Sequence, residues 1–85
     1  MNIKFTGASW QDYVYWQKTD KAVMKKINEL IKEISRSPFE GIGKPEPLKY
    51  DLSGCWSRRI TGEHRLVYQV EEDAILIIGC RYHYD

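Results

Sequence analysis

The sequence lacks an excess of charge of either sign. Its 13 lysines and arginines nearly balance its 12 aspartates and glutamates, and the net charge is +1 at pH 7. Proteins that collect free nucleic acid by electrostatic attraction are usually strongly basic. The composition therefore argues against that class, and any binding of a polyanion must depend on local clusters of basic residues.

Cysteine is scarce, and long apolar runs are absent. Cys55 and Cys80 have no C-x-x-C spacing and no histidine cluster beside them, so we expect no zinc site. They are expected to be free, partly buried thiols in a reducing compartment, because a disulfide would require their two strands to be adjacent and in register. No stretch approaches the roughly 20 apolar residues of a membrane span, and residues 1–5 do not resemble a signal peptide. We therefore expect a cytoplasmic protein without a cofactor.

What the sequence does contain is enough apolar surface for one small core. The 85 residues are 42% hydrophobic and 13% aromatic, which predicts a single domain over residues 1–85. A core of this size is only marginally stable alone, so a partner protein or a second copy would help.

The first half of the chain predicts a strand and two helices. "NIKF" is typical of a short strand, and Thr6 or Ser9 can cap the helix that follows. Asp20 then opens a second helix, which ends at Ser37 because proline follows. Its apolar residues recur at helical spacing: Val23, Ile27, Leu30, Ile31 and Ile34.

The second half predicts an irregular segment and then three strands. Residues 38–54 contain all three prolines of the chain. The runs "CWSRRIT", "HRLVYQV" and "AILIIGCRYHY" are rich in strand-forming residues and are separated by short polar turns. The resulting order is β-α-α-β-β-β. It predicts an α+β fold with two helices packed on one face of a small, mainly antiparallel sheet. Because the last run continues to Tyr84, we also expect the C-terminal residues to be held by this sheet as far as Tyr84.

Four kinds of side chain in this half are candidates for chemistry. Glu46 lies between two prolines in "KPEPLKY", on a stiffened loop, although most loop glutamates are simply solvated. Arginines on neighbouring strands suit phosphate, since the guanidinium donates two parallel hydrogen bonds; alternation places Arg58 on the opposite face from Arg59. His83 can exchange a proton near neutrality, and Tyr84 can stack on a base or donate through its hydroxyl, or fill the edge of the core.

These residue types suit cleavage of RNA without a metal. In that reaction the 2′-hydroxyl attacks the adjacent phosphate, a base removes its proton, an acid protonates the leaving 5′-oxygen, and a cation stabilises the phosphoryl oxygens. Most small proteins contain such residues, so the composition alone supports this reaction only weakly.

Longer strings are more specific. "PFEGIGKPEPLKYDLSGCWSRRITGEHRLVY" and the terminal "RYHY" resemble the YoeB/Txe family of bacterial toxins, within the RelE superfamily. The similarity extends over essentially the whole chain. There are two departures: Cys55 stands where an aromatic residue is expected, and Asp85 extends the chain beyond the usual terminal tyrosine.

The resemblance implies the toxin of a type II toxin–antitoxin pair, an endoribonuclease that cuts mRNA in the A site of the 70S ribosome. It implies a YefM/Axe-like antitoxin as partner and a homodimer. It also implies the functional residues: a catalytic carboxylate, a transition-state arginine, a general acid and its neighbouring tyrosine, and two basic residues lining the pocket. In that order these are Glu46, Arg65, His83, Tyr84, Lys49 and Arg59.

Three further points stay open in the sequence. A same-fold toxin could act by binding protein, as ParE-like gyrase poisons do, or the chain could be a non-catalytic RNA-binding module. Lysines on the second helix could dock on ribosomal RNA or simply be solvated. In the last hairpin two registers are possible: Arg65 either lies opposite Gly79 and shares a face with Arg81 and His83, or it shares a face with Tyr84. Both registers put His83 on the order of 10 Å beyond the strand partner of Arg65.

Overall fold

The computed structural model describes residues 1–82, so the calls on His83, Tyr84 and Asp85 lie outside the described residues. Strand β1 (Asn2–Phe5) leads into helices α1 (Gly7–Thr19) and α2 (Lys21–Arg36). The strands β2 (Glu46–Pro47), β3 (Trp56–Arg59), β4 (Arg65–Val70) and β5 (Ala74–Gly79) follow, with a 3-10 helix at Tyr50–Leu52. The predicted α+β fold is confirmed, and the two-residue β2 is an addition within the segment predicted to be irregular.

The strands form one sheet in the order β1-β5-β4-β3-β2. Strand β1 runs parallel to β5, whereas the β2/β3, β3/β4 and β4/β5 pairs are antiparallel. A parallel pair needs a long crossover connection. The two helices lie within the long connection between β1 and β5, and the sheet is mainly antiparallel as predicted.

Both helices begin where a side chain can accept hydrogen bonds from their first turn. The Thr6 hydroxyl accepts from the Ser9 N–H at 3.0 Å. The Asp20 carboxylate accepts from the Ala22 and Val23 N–H groups at 3.0 and 3.2 Å. Such caps satisfy N–H groups that the helix leaves without a partner, and Asp20 therefore separates α1 from α2, as its position in the sequence predicts.

The core lies between α2 and one face of the sheet. The apolar stripe of α2 is buried, as its spacing predicts, and Trp16 supplies a large buried side chain from α1. No helix within residues 1–82 is long and apolar enough to cross a membrane. The core cluster combines these helix residues with sheet residues: Val23, Ile27, Leu30, Ile34, Ile60, Leu66, Tyr68, Ile75 and Ile77.

Strand alternation divides the other side chains between two faces. Leu66 and Tyr68 belong to the core cluster and lie opposite Arg58 and Trp56; we call this side the helix face. Residues between them in sequence must point the other way. The opposite side, the far face, therefore carries a different set: Glu46, Ser57, Arg59, Arg65 and Val67.

A β-bulge interrupts the β4/β5 pair. Tyr68 lies opposite Ile77 but Val67 lies opposite Gly79, so Ile78 is an extra residue. A bulge bends its strand and breaks the regular pairing. Strand β5 ends at Gly79, and the prediction that the last strand continues toward residue 84 is wrong. Beyond that point the described chain bonds to α1, to His64 and to Arg65 at the start of β4 rather than continuing in the β5 ladder.

Candidate active site

Arg65 is fixed at the start of β4, with only 9% of its surface exposed. Its Nη1 donates to three carbonyl oxygens of the preceding turn: Thr61 at 2.8 Å, His64 at 3.1 Å and Gly62 at 3.3 Å. Within residues 1–82 the guanidinium makes no other hydrogen bond. One terminal nitrogen therefore anchors the guanidinium. Its remaining N–H donors lie in the same plane, which is the arrangement that suits a phosphate.

Arg59 lies directly opposite Arg65 across the β3/β4 pair. Its main-chain N–H donates to the Gly43 carbonyl at 2.7 Å, and the residue is exposed. Like charges directly opposite each other destabilise a sheet. Two guanidinium groups on the far face therefore repel each other, and an anion between them would relieve that repulsion.

Glu46 shares this face. It pairs with Ser57, and Ser57 and Arg59 are two residues apart on β3, so the three side chains project to the same side. From strand spacing and rise, the Cα of Glu46 is about 8 Å from that of Arg59 and about 12 Å from that of Arg65. The exposed Glu46 carboxylate and the anchored Arg65 side chain are thus on one face of the sheet, separated by two strand spacings.

Lys49 follows two residues after β2, at the cap of the 3-10 helix, and is exposed. Here the main chain is held by the Leu48 N–H, which donates to the Cys55 carbonyl at 2.9 Å. That bond extends the β2/β3 pairing by one step. The structure thus brings Glu46, Arg59 and Arg65 together on one face and places Lys49 at its edge.

Arg58 has a different role. It is fully buried, and its guanidinium donates to the carbonyls of Ser37, Glu40 and Ile42 and to the Tyr68 hydroxyl. Charged groups are buried only when their donors are satisfied in this way. Although it is adjacent to Arg59 in sequence, Arg58 therefore organises the loop after α2 and is not available to a substrate.

The segment directly before His83, residues 80–82, is bonded to α1. The Cys80 N–H donates to the Asp12 carboxylate at 3.1 Å, and the Trp16 indole donates to the Cys80 carbonyl at 2.8 Å. The Arg81 guanidinium lies over the Tyr15 ring, 3.6 Å from its centroid. Arg81 therefore makes a cation–π contact with the first helix.

Neither register expected for Arg65 is correct. Near the turn Val70 pairs with Ile75, which agrees with a turn centred between Glu72 and Asp73, but the bulge then shifts the pairing. The Arg65 N–H donates to the Tyr82 carbonyl at 2.9 Å. On this side of β4, Arg65 therefore bonds to the residue directly before His83 in sequence. The expected separation of His83 from that point concerns a residue outside the described range.

His64 is a residue that sequence reasoning missed. Its Nδ1 accepts from the Tyr82 N–H at 2.8 Å, and its ring packs edge-on against Trp16 with centroids 4.8 Å apart. The sequence offers only the adjacency of His64 to Arg65 as a signal. Because the contact joins residues 18 positions apart, no local pattern could have found it.

The cysteines are poor nucleophiles. Both are buried free thiols. Burial, with a contribution from the Asp12 carboxylate, raises the pKa of Cys80 to about 12, and burial raises the pKa of Cys55 above its usual value. The reactive species is the thiolate, so neither suits covalent catalysis near neutral pH. In residues 1–82 no group of three or more histidine, cysteine, aspartate or glutamate side chains is placed to hold a metal ion.

Comparison with known proteins shows the family. The family described as the YoeB-like toxin of bacterial type II toxin–antitoxin systems matches residues 5–84. The chain belongs to this family. It is 66% identical over 84 residues to the toxin YoeB of Escherichia coli K12, covering 99% of this chain and 100% of that protein. The resemblance seen in the sequence is confirmed, and the chain is the toxin member of a type II system.

Solved structures of YoeB-like toxins have the same fold. The YoeB/ParE toxin from Agrobacterium tumefaciens superposes with a TM-score of 0.96 at 52% identity, covering 99% of this chain and 100% of that one. A YoeB dimer from Staphylococcus aureus gives 0.93 at 54%, covering 99% and 98%. The heterotetrameric YoeB–YefM complex from the same organism gives 0.91 at 54%, again covering 99% and 98%.

Proposed function

We propose that this YoeB-like toxin is a ribosome-dependent endoribonuclease that cuts mRNA in the A site of the 70S ribosome and so inhibits translation. The observation that supports this most directly is the pair of facing arginines, Arg59 and Arg65, on the same sheet face as Glu46. An anion-binding pair beside a carboxylate is what cleavage of a phosphodiester without a metal requires.

The reaction assigns one role to each group. Glu46 removes the proton of the 2′-hydroxyl, whose oxygen forms a bond to the adjacent phosphorus. The bond from phosphorus to the 5′-oxygen breaks, and His83 supplies the proton that this oxygen needs. The products are a 2′,3′-cyclic phosphate and a free 5′-hydroxyl. Arg65, already fixed by its turn, stabilises the charge on the phosphoryl oxygens at no cost of reorganisation.

Three further residues hold the substrate. Arg59 and Lys49 supply positive charge to the RNA backbone from the far face and its edge. Tyr84 stacks on a base or orients His83. Aromatic stacking tolerates many bases and arginine clamps phosphate geometry, so this set binds the backbone without dictating a sequence.

The ribosome would provide the affinity that the chain itself lacks. With a net charge of only +1, long-range steering toward free RNA is weak. Helix α2 presents a basic surface that could dock on ribosomal RNA. Lys21, Lys25 and Lys32 are exposed there, and Lys26 is half-buried.

The partners follow those of the relatives. The S. aureus structures are a YoeB dimer and a YoeB–YefM complex. We propose that this chain likewise forms a homodimer and binds a YefM/Axe-like antitoxin that covers the far face. The setting of this pair is the cytoplasm, where ribosomes and message are found.

Primer extension on message bound to purified 70S ribosomes tests the proposal. Wild-type protein should give cuts at A-site codons. Glu46→Ala, Arg65→Ala and His83→Ala should each lower the cleavage rate at least about 100-fold, while antitoxin binding persists. Glu72→Ala, in the exposed turn between β4 and β5, is the matched control and should cut normally.

Other outcomes would point elsewhere. If the wild-type protein protected ribosomal RNA in footprinting but left the message uncut, the chain would be a binding module. DNA damage without mRNA cleavage on expression would instead indicate a gyrase poison. Normal cutting by His83→Ala would refute the assignment of the general acid.

A further inference from the structure

Tyr82 is held by its main chain from both sides. Its N–H donates to His64 Nδ1 at 2.8 Å, and its carbonyl accepts from the Arg65 N–H at 2.9 Å. The two partners are consecutive residues. The side chain of Tyr82 is largely exposed, so these bonds, rather than burial, position the residue.

The backbone of Tyr82 is strained. Its φ is +69°, in the left-handed region that a residue with a side chain enters only at a cost in free energy. Such conformations persist where the surroundings over-determine them, and they cluster at functional sites. The chain therefore turns at Tyr82, and the turn depends on the two bonds from His64 and Arg65.

The His64 ring is itself held in place for this task. It packs edge-on against Trp16, and only 14% of its side chain is exposed. The main-chain N–H of His64 donates to the Thr61 hydroxyl at 3.0 Å, within the turn whose carbonyls anchor Arg65. An Nδ1 that accepts a hydrogen bond carries no proton, so in this contact the ring proton is on Nε2. The Nε2 atom lies 3.8 Å from the Glu63 carboxylate.

We propose that His64 is a positioning residue for the reaction: through its bond to the Tyr82 N–H it holds the turn that directly precedes His83 in sequence. The turn at residues 61–64 thus holds two groups. Its carbonyls anchor Arg65, the proposed transition-state arginine, and the His64 ring holds Tyr82, the residue before the proposed general acid. This inference rests on the proposed function. His64 touches no reacting atom and acts through Tyr82.

Two nearly isosteric substitutions separate the acceptor from the rest of the side chain. In His64→Asn the amide oxygen can occupy the position of Nδ1 and accept the same bond, whereas His64→Leu has the same shape and no acceptor. Losing the partner of one N–H should lower the rate of cleavage of ribosome-bound message about tenfold in His64→Leu. His64→Asn should stay within about threefold of wild type, and KM for ribosomes should change little in either variant.

A spectroscopic measurement tests the bond without any activity. In the wild-type protein, NMR should detect a scalar coupling between the Tyr82 amide nitrogen and His64 Nδ1 across the hydrogen bond. Exchange of the Tyr82 amide with solvent should be about tenfold faster in His64→Leu than in His64→Asn. If His64→Leu does not fold, His64→Gln replaces it, because its acceptor lies one bond farther along the side chain.

Each arm can overturn the inference. Equal cleavage rates in His64→Asn and in the variant without a correctly placed acceptor would refute the role in positioning. An unprotected Tyr82 amide in the wild-type protein would refute the bond itself. A wild-type protein that cuts no message would overturn the proposed function and the catalytic role with it, while the exchange result would still decide whether His64 holds Tyr82.

Discussion

Two adjacent arginines on β3 are used in opposite ways by the two faces of the sheet. On the helix face, Arg58 is fully buried, and its guanidinium donates to three loop carbonyls and the Tyr68 hydroxyl. On the far face, Arg59 is exposed and lies opposite a second arginine. The same type of side chain therefore stabilises the fold in one position and faces a like charge across the sheet in the next. Arginine function here depends on strand alternation, not on residue type.

The largest effect should come from Arg65→Lys. Lysine keeps the charge but loses the planar fork, so we expect the rate of message cleavage to fall about 1,000-fold, equivalent to roughly 4 kcal/mol. The free energy of unfolding should change by less than about 1 kcal/mol. Single-turnover cleavage on ribosomes and urea denaturation measure the two quantities. A variant that retains a tenth of the wild-type rate would show that charge alone suffices.

Arg58→Ala should reverse that pattern. Its carbonyl and hydroxyl partners lose their donors and a cavity forms, so we expect a loss of about 3 kcal/mol of unfolding free energy. For a domain of this size the melting temperature should fall by roughly 15 °C. Calorimetry measures the shift, and Arg59→Ala on the other face is the matched control. If both variants melted together, the division of roles between the two faces would be wrong.

Arg59→Gln should have a smaller effect. Removing one of two facing charges weakens phosphate binding, and we expect cleavage to slow about tenfold with a shallower dependence on salt. The folded protein should become more stable by a few tenths of a kcal/mol, because the repulsion across the β3/β4 pair is lost. Salt titrations of cleavage and urea midpoints check both signs. A less stable variant would contradict the repulsion.

The two thiols offer the smallest test. Cys80 lies in the core on the helix face, and its pKa is about 12, so the thiol stays protonated up to about pH 10. The contribution of the buried neutral thiol to the stability of the folded protein is therefore fully present below pH 9 and is lost as pH rises toward 12. Cys55 lies near the edge of the far face. We expect iodoacetamide to modify Cys55 at least tenfold faster than Cys80 at pH 8, as read by peptide mass spectrometry. Faster modification of Cys80 would mean that this part of the core opens.

Much of the fold could be predicted because it depends on local pattern. The apolar stripe of α2 and the cap at Asp20 are visible within a few residues of sequence, and both occur in the structure. The alternation of Trp56, Arg58 and Ile60 predicts that they share a face. The two-residue β2 was not predicted, because a strand between prolines is defined only by its pairing with β3.

The candidate site divides in the same way. Glu46, Arg59, Arg65 and Lys49 could be named from the motif, and alternation explains why three of them share the far face. The bulge at Ile78 could not be predicted, since it depends on how β4 and β5 pair. After it, the main-chain N–H of Arg65 bonds to Tyr82, beyond the end of β5, and not to a residue within that strand.

The sequence alone supplied the candidate reacting groups and the period that assigns side chains to faces, because both depend on covalent order and on the pleat of a strand. Only the tertiary structure decided which residues meet at the end of β5. The contact between His64 and Tyr82, the left-handed turn of Tyr82 and the burial of Arg58 each join segments that are distant along the chain. Such contacts form only when the whole sheet and both helices are packed, because no local pattern supplies the free energy to hold them.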